Sequence, residues 1–435
     1  MRLYHLFITF FIVSSLSVYA QESNLQKKKA HESDVFIADC VNSNGDEHCN
    51  PANLKKHISF LASDDLKGRL TGSKQEKVAA KYLISEFKKR GIKPYDKNYI
   101  QSFSYTIRLN PHDTISQSKS NTGNNVIGYL DNGADRTIII GAHYDHLGLN
   151  EHHHSTKMNS DGEIHNGADD NASGVSGVLE LARMFSQNRT KEKANFIFAL
   201  FSGEEDGLLG SKHMASNLKT IYPNVETMIN MDMIGRLDDK KSIIVGGAGT
   251  CPSFPEIIEN NKPAGYKITQ ELSGIGPSDH TSFYLKDIPV LFFFTGTHVD
   301  YHKPSDDEDK INYHGLENIV NYVYKSANAV AQLDKIEFTK TKIIAEKNIP
   351  KYKVTLGIMP DYAEYGDGLH VDGVTENRPA QLAGIQTGDI ITKIGDCIIK
   401  EVYSYMECLA KINSGDEKDV SLIRNGQIMI FKVKF

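Results

Sequence analysis

The sequence predicts an α/β fold with a mostly parallel sheet, followed by a small β-rich domain. Short runs of apolar, β-branched or aromatic residues recur through the first three quarters of the chain, and Gly or Asp bounds each run. Amphipathic stretches separate the runs, as in residues 173–188, where Val175, Val178, Leu179, Ala182 and Phe185 share one helical face. Strands that alternate with helices are typical of an α/β core.

The predicted elements of this core follow in order from about residue 51. Residues 54–94 have helical periodicity on both sides of a Gly/Ser break, with an apolar face at Ala79, Ala80, Leu83, Ile84 and Phe87. Five buried strands are then predicted, in the segments TIIIGAHYD (137–145), ANFIFALFSGEE (194–205), VETMINMDMIG (225–235), KSIIVGG (241–247) and IPVLFFFTG (288–296).

The pattern changes after a polar, lysine-rich linker at residues 336–349. Residues 367–396, DGLHVDGVTENRPAQLAGIQTGDIITKIGD, combine short alternating strands with a helix start at Pro-Ala and a Gly-Asp turn. A hairpin is predicted around Asn425 and Gly426. Residues 350–435 are therefore predicted to form a separate domain.

Composition and the first residues limit the class of protein. The chain has 435 residues, is 40% hydrophobic and 24% charged, and has a formal charge of -6, as expected of a globular protein. No Lys/Arg block lies among aromatic residues, so a nucleic-acid partner is not predicted.

The N-terminus predicts export. Residues 1–20 resemble a cleavable signal peptide, since Arg2 precedes a short apolar run and small residues precede Gln21. The apolar run falls short of the ~20 residues that cross a bilayer, so no stable membrane span is expected. We expect a secreted or periplasmic protein that begins at about Gln21, with a polar leader at residues 21–50.

Acidic residues and histidines lie where the predicted strands end. Loops at the carboxyl ends of parallel strands converge on one crevice, where catalytic side chains gather. The candidates are His143, Asp145, Asp169, Asp170, Glu204, Glu205, Asp232 and His302. Singly, some have simpler explanations: Asp170 could cap the following helix, and His143 could donate a hydrogen bond to Asp145.

Taken together, two histidines and three carboxylates match the ligand chemistry of zinc. Five protein ligands exceed one tetrahedral site, whereas two ions about 3.5 Å apart that share one carboxylate and one water would use all five. Asp145, two residues after His143, would orient the imidazole ring of that ligand.

Residues 51–335 resemble the M28 family of zinc-dependent exopeptidases, which are mostly aminopeptidases with a phosphorylase/hydrolase-like α/β/α sandwich. The resemblance rests on FLASDDLKGRLTGS, HYDH, GADDNASG, SGEEDGLLGS, NMDMIG, SDHTSF and YHKPSD, which occur in this order. It implies that His143 and Asp232 hold one zinc ion and that Glu205 and His302 hold the other. Asp170 would bridge the two ions, and its peptide bond to Asn171 would be cis.

The same resemblance assigns the catalytic groups. Glu204 would be the general base that takes a proton from the bridging water and passes it to the leaving amine, while Glu205 is a ligand. Tyr301, which precedes the ligand His302, would stabilise the transition state. Alternation along an extended chain allows Glu204 and Glu205 to have different partners. Asp206, the third acid, and the tract His152, His153 and His154 are expected to be solvated.

Residues 350–435 resemble a PDZ domain of the bacterial protease-associated type. Such domains add a peptide strand to a sheet edge and hold its terminal carboxylate in backbone N-H groups. TLGIMP, residues 355–360, lies where the carboxylate loop would be, although it departs from the usual Gly-Leu-Gly-Phe pattern. A peptide with a free carboxyl end is therefore a predicted partner of this domain.

The leading hypothesis is a di-zinc aminopeptidase that acts on peptides and carries an accessory PDZ domain. Alternatives are a glutaminyl cyclase-like acyltransferase or a carboxypeptidase on the same fold, or an inactive scaffold that binds peptides through the PDZ domain. An oxidising compartment would also allow disulfide bonds between Cys40 and Cys49 and between Cys397 and Cys408.

Overall fold

A computed structural model describes residues 48–106, 120–341, 354–360, 367–375, 377–400 and 402–435. The predicted signal peptide, almost all of the predicted leader and residues 342–349 of the predicted linker lie outside these residues. The helices of the first domain are Pro51–Leu61 (α1), Lys74–Lys89 (α2), Gly174–Gln187 (α3), Leu209–Ser216 (α4), Leu218–Ile221 (α5), Phe254–Asn261 (α6), His280–Tyr284 (α7) and Tyr313–Gln332 (α8). Single helical turns lie at Asp64–Arg69, Ala168–Ser173, Ala248–Thr250 and Glu308–Lys310.

The first domain contains a large mixed sheet with a parallel centre. Its strands are Lys93–Pro94 (β1), Ile100–Thr106 (β2), Ser120–Leu130 (β3), Thr137–His143 (β4), Asn195–Phe201 (β5), Val225–Met231 (β6), Ser242–Gly246 (β7), Lys267–Gln270 (β8) and Val290–Phe294 (β9). Their order is β1-β3-β5-β4-β6-β9-β7-β8, and β2 pairs with β3. The central strands β5, β4, β6 and β9 are parallel, while β3 and β7 join them antiparallel.

Side-chain alternation along the central strands divides the core into two layers. Ile138 and Ile140 of β4 pack with helices α1, α2, α3, α6 and α8, whereas Ile139 packs with α4, α5 and α7 on the other face. Both faces of the sheet are apolar because a parallel sheet is covered by helices on each side. The predicted α/β/α sandwich is therefore confirmed.

Three of the long helices, α1, α2 and α8, begin at residues whose side chains accept hydrogen bonds from free backbone N-H groups. Asn50 accepts from Ala52 at the start of α1, Ser73 from Glu76 at the start of α2, and Asn312 from Gly315 at the start of α8. Ala79, Ala80, Leu83 and Phe87 are buried on α2, as the sequence predicts, whereas Ile84 is half-buried.

The C-terminal domain has its own sheet and its own core. Its strands are Ile358–Pro360 (β10), Leu369–Val374 (β11), Ile390–Ile394 (β12), Cys397–Ile398 (β13), Glu417–Arg424 (β14) and Gln427–Lys434 (β15), and its helices are Pro379–Ala383 (α9) and Val402–Leu409 (α10). The predicted hairpin joins β14 to β15, and its two turn residues, Asn425 and Gly426, both have positive φ, as a tight hairpin turn requires.

Two further sequence expectations concern cysteines and membrane spans. Cys397 and Cys408 form a disulfide with their Cα atoms 5.9 Å apart. Cys49 is buried, and its proposed partner Cys40 lies outside the described residues. Within the described ranges, no helix combines the length and the apolar character that crossing a bilayer requires.

Candidate metal centre and catalytic cavity

The sheet brings the predicted ligands together at the carboxyl ends of its central strands. β4 ends at His143, and β6 is followed directly by Asp232. Glu205 lies four residues beyond the end of β5, His302 lies in the segment after β9, and Asp170 lies in the helical turn that precedes α3. All five side chains are largely buried.

Three of these residues form one cluster, here termed the strand-side group: His143, Asp170 and Asp232. The Nε2 atom of His143 lies 3.3 Å from Oδ1 of Asp170 and 3.3 Å from Oδ1 of Asp232. The second oxygen of Asp232 accepts a hydrogen bond of 2.7 Å from the hydroxyl of Ser278. One imidazole nitrogen and two carboxylate oxygens therefore converge on the same point.

A second cluster, the loop-side group, consists of Asp170, Glu205 and His302. The Nε2 atom of His302 lies 3.2 Å from Oδ2 of Asp170 and 3.0 Å from Oε2 of Glu205. Asp170 thus uses one oxygen towards each histidine. Although burial opposes it, His143 and His302 hold the pKa of Asp170 well below its ordinary value.

The spacing and chemistry of these atoms fit zinc. Ligand atoms about 2.1 Å from a tetrahedral zinc ion lie about 3.4 Å from one another, close to the separations in both groups. Imidazole nitrogen and carboxylate oxygen are ordinary zinc ligands. Two sets of three residues offer ligand atoms that lie within 4.8 Å of one another. One set is His143, Asp170 and Asp232, and the other is His146, Asp170 and Glu205. The donor chemistry of these residues therefore fits zinc, and Asp170 belongs to both of these sets.

The chain around Asp170 is held by polar contacts rather than by a regular element. The peptide bond between Asp170 and Asn171 is cis, as the resemblance implied. Both Asp169 and Asp170 donate their backbone N-H to the carboxylate of Asp306. Asn171 donates from its amide to the carbonyl of Met231 and accepts from Gly174 N-H. These contacts tie the turn to the end of β6 and to the start of α3.

Asp169 faces away from the ligand clusters. Its Oδ1 accepts a hydrogen bond of 2.6 Å from the Gly235 N-H, and its Oδ2 lies 3.1 Å from Nε2 of His298. The two adjacent acids thus differ in their partners: Asp169 links neighbouring loops, while Asp170 lies between the two histidines.

Asp145 links the ring of His143 to the segment that carries Glu204. Its Oδ1 is 3.7 Å from Nδ1 of His143 and accepts a hydrogen bond of 3.2 Å from the backbone N-H of Glu204. Its Oδ2 accepts from the hydroxyl of Thr71 at 2.9 Å. The backbone carbonyl oxygen of Asp145 lies closer to Nδ1, at 3.3 Å, and can only accept a hydrogen bond, so Nδ1 is the donor and Nε2 faces Asp170 and Asp232.

His302 is oriented by a different set of contacts. Its Nδ1 lies 3.1 Å from the carbonyl oxygen of His154, so this nitrogen is the donor and Nε2 faces the acids. The ring of Tyr301 stacks on that of His302 with centroids 3.9 Å apart. His302 itself has a φ of 53°, a left-handed conformation that redirects the chain after Tyr301.

Glu204 is not part of either ligand cluster at short range. Its Oε2 lies 4.0 Å from Nε2 of His143, and its side chain lines the cavity above the two groups. Burial, together with the negative charges of Glu205, Asp279 and Asp232, raises the pKa of Glu204 well above its ordinary value. Glu204 and Glu205 therefore occupy different environments although they are adjacent.

Sequence reasoning missed two residues that support the site. The buried His146 lies with its Nδ1 only 2.6 Å from Oε1 of Glu205. The fully buried Arg69 donates to the carbonyls of Tyr144, Asn166 and Gly167, and so ties the end of β4 to the turn that carries Asp170. Both lie within quoted motifs, HYDH and FLASDDLKGRLTGS, but nothing in their spacing indicates the direction of their side chains.

The expectation that Asp206 and His152 are solvated is wrong. Oδ1 of Asp206 lies 2.8 Å from Nδ1 of His152, and their side chains are only 5% and 15% exposed. The pairing spans more than fifty residues of sequence, so a local pattern could not indicate it. His153 and His154 are exposed, as predicted.

The clusters form the floor of a cavity of about 390 Å³, within the range of sites that bind small ligands. It is lined by Asp170, Glu204, Glu205, Gly207, Leu208, Asp232, Met233, Ile244, Glu271, Pro277, Phe292, Phe294, Thr297, Tyr301, His302, Ile358 and Pro360. The floor is acidic and much of the wall is apolar.

Comparison with known proteins agrees with this architecture. A probable zinc metalloprotease of Pyrenophora teres f. teres is 42% identical over 101 residues, which are 23% of this chain and 20% of that protein. The chain thus aligns with about a fifth of the length of this relative.

Two solved structures share the fold. An aminopeptidase from Aneurinibacillus sp. strain AM-1 matches 68% of this chain and 97% of its own, at 19% identity and a TM-score of 0.53. A glutaminyl cyclase from Porphyromonas gingivalis matches 65% of this chain and 99% of its own, at 16% identity and a TM-score of 0.51.

Family assignments follow the two structural domains. Residues 125–327 match Peptidase family M28, and this range contains all of the predicted ligands. Residues 353–435 match the PDZ domain. The first domain is therefore similar to peptidase family M28 over residues 125–327, and the C-terminal domain is similar to the PDZ domain.

Proposed function

We propose that this protein is a secreted or periplasmic di-zinc exopeptidase that removes N-terminal residues from peptides. The observation that carries the proposal is the position of Asp170, which shares its two oxygens between His143 on one side and His302 on the other. A carboxylate shared in this way is suited to two neighbouring ions.

The similarity to peptidase family M28 and the positions of the side chains in the cavity support the following roles. His143 and Asp232 would hold one zinc ion, Glu205 and His302 the other, and Asp170 both. Bound zinc would supply Lewis acidity to the scissile carbonyl and lower the pKa of the attacking water. Asp145 would fix the ring of His143, as its contacts at Nδ1 and at the Glu204 N-H suggest.

Glu204 is the proposed general base. It lies over the two clusters without a short contact to His302 or Asp170, so its carboxylate is available to take a proton from the water and return it to the leaving amine. Tyr301 lines the same cavity and would stabilise the oxyanion through its hydroxyl. The PDZ domain would bind peptides by their carboxyl ends.

Zinc content and substrate profile together test this function. We expect two zinc ions per chain, and hydrolysis of aminoacyl reporters but not of N-blocked peptides. Glu204→Gln should keep both ions and lose activity, while the exposed control Glu256→Gln should match wild type. Activity on N-blocked peptides alone, or full activity of Glu204→Gln, would contradict the proposal.

The same assay separates the alternatives. Ammonia release from peptides with N-terminal glutamine would indicate a cyclase, a reaction suggested by the structural likeness to the Porphyromonas gingivalis enzyme. Release of residues from the carboxyl end would indicate a carboxypeptidase. Peptide binding by a chain that takes up no zinc and has no activity would indicate a scaffold.

A further inference from the structure

One wall of the catalytic cavity comes from the C-terminal domain. Ile358 and Pro360, both on β10, line the same cavity as Asp170, Glu204 and His302. Their domain has a core of its own, distinct from the two apolar layers of the peptidase sheet. A domain with its own apolar core therefore completes a cavity whose acidic residues belong to the first domain.

The position of β10 within its sheet explains how it can form a wall. In the part of the chain that the structure describes, β10 is the terminal strand and pairs only with β11. The carbonyl of Gly357 accepts from the Thr375 N-H, which places this residue's backbone towards β11. Because successive residues alternate, the backbone groups of Ile358 face the open edge. The pairing with β11 shifts register between Met359 and Pro360, and both Ile358 and Pro360 line the cavity.

The chemistry of the wall differs from that of the floor. Five acidic side chains line the cavity, those of Asp170, Glu204, Glu205, Asp232 and Glu271, whereas Ile358 and Pro360 add to apolar residues from the first domain. Those residues are Met233, Ile244, Phe292 and Phe294. An apolar side chain of a bound peptide would be desolvated against this wall while its reacting amide lay near the acids.

We propose that Ile358 and Pro360 are specificity-determining residues of the peptidase site, where they select an apolar side chain of the peptide substrate. This inference rests on the proposed peptidase function. It makes the PDZ domain part of the substrate cavity and not only an accessory that binds peptides elsewhere.

A change of charge on the wall tests the inference. For each pair of peptides, we compare kcat/KM for the leucine peptide with kcat/KM for its lysine counterpart. In Ile358→Glu, this ratio should fall by about tenfold, mainly through KM. The new carboxylate disfavours the apolar side chain of the substrate and attracts the basic one. The peptide pairs are Leu-Gly-Gly with Lys-Gly-Gly and Ala-Leu-Ala with Ala-Lys-Ala. They vary the first and second residues in turn, and a shift at either position supports the proposal.

Two further variants keep the test decisive. Pro360→Glu should shift the ratio in the same direction and decides the matter if Ile358→Glu fails to fold, because Ile358 also packs against the core of its own domain. Ile428→Glu is the matched control, since Ile428 lies on β15 of the same domain, is 78% exposed and does not line the cavity. An unchanged ratio at both positions in both wall variants would overturn the inference.

A measurement of peptide binding distinguishes failure of this inference from failure of the proposed function. The same four peptides are titrated calorimetrically into zinc-loaded chains that carry Glu204→Gln with or without the wall substitution. If wild type shows no peptidase activity, the proposed function fails, yet the binding ratio still reports on the wall. If wild type is active and neither kinetic nor binding ratios move, only the inference about the wall fails.

Discussion

The two ligand groups that share Asp170 are built in different ways. In the strand-side group, His143 is the last residue of β4 and Asp232 continues the sheet, because its N-H donates to the Phe293 carbonyl. In the loop-side group, Glu205 lies in a turn and His302 has a left-handed backbone. Exposure differs little, at 12% for the side chain of Asp232 and 14% for that of His302.

The difference lies in what holds the ligands before any ion binds. Backbone hydrogen bonds of the sheet fix His143 and Asp232, the two residues that belong to the strand-side group alone, so these two need little ordering when a cation binds. The loop-side group depends on side-chain contacts, including those of His146 with Glu205 and of His154 O with His302. We therefore expect the strand-side group to bind zinc more tightly than the loop-side group.

The largest effect is expected from Asp170→Asn, because this residue belongs to both groups. Zinc content should fall below one ion per chain, and kcat/KM should drop by about 10³-fold, the loss of several kcal/mol of transition-state stabilisation. Elemental analysis and steady-state kinetics measure both quantities. Asp135→Asn, an exposed acid outside the cavity, serves as the control and should behave as wild type.

The next prediction separates the two groups. After dialysis against a weak chelator, His302→Gln should keep about one zinc ion per chain, held by the strand-side group. Asp232→Asn should keep less, since only the weaker loop-side group remains complete. Elemental analysis under identical conditions compares the two variants, and greater retention by Asp232→Asn would reverse the order of affinity that we infer.

A smaller effect should come from His146→Gln. Removing the imidazole that contacts Glu205 should weaken zinc binding at the loop-side group by about 10- to 100-fold, as for other residues that orient a ligand. The affinity of the strand-side group should stay the same, and a competition titration with a chelating dye resolves the two steps. His152→Gln, which removes the partner of Asp206, is the matched control; equal losses in both variants would contradict a specific role for His146.

A histidine buried away from the cavity gives the smallest predicted effect. Burial and the neighbouring Arg90 lower the pKa of His57 from an ordinary value near 6.5 to about 3. As the pH falls, the imidazole of His57 is therefore protonated in the unfolded chain before it is protonated in the folded protein. The stabilising contribution of the neutral imidazole is complete above pH 6.5 and is lost as the pH falls towards 3.

Denaturant unfolding of wild type and His57→Gln at pH 8 and pH 5 tests this sign. Between pH 8 and pH 5, the free energy of unfolding should fall by on the order of 2 kcal/mol more in wild type than in His57→Gln. This is an upper figure for one proton over that interval. In the control His314→Gln, which replaces an exposed histidine, the free energy of unfolding should fall by as much as in wild type. A steeper loss in His57→Gln than in wild type would show that the direction is wrong.

Much of the fold could be predicted because its signals are local. The five predicted buried strands appear as β4, β5, β6, β7 and β9, since runs such as residues 195–201 are apolar on both faces. The ends of these strands also indicated where acids and histidines gather, because parallel strands deliver their carboxyl ends to the same edge.

The contacts that complete the site could not be predicted in the same way. His146 follows the end of β4, where strand alternation no longer fixes the direction of a side chain, so its contact with Glu205 had no signal. The pairing of His152 with Asp206 and the position of Ile358 on the cavity wall each depend on residues far apart in sequence. Such contacts are set by the packing of whole elements, not by a local pattern.

The central claim is that Asp170 lies between two ions, and anomalous scattering from zinc tests it most directly. Crystals of the zinc-loaded chain should give two peaks about 3.5 Å apart, one beside His143 and Asp232 and the other beside Glu205 and His302. A single peak at full zinc loading, or two peaks that do not share Asp170 as a ligand, would contradict the account.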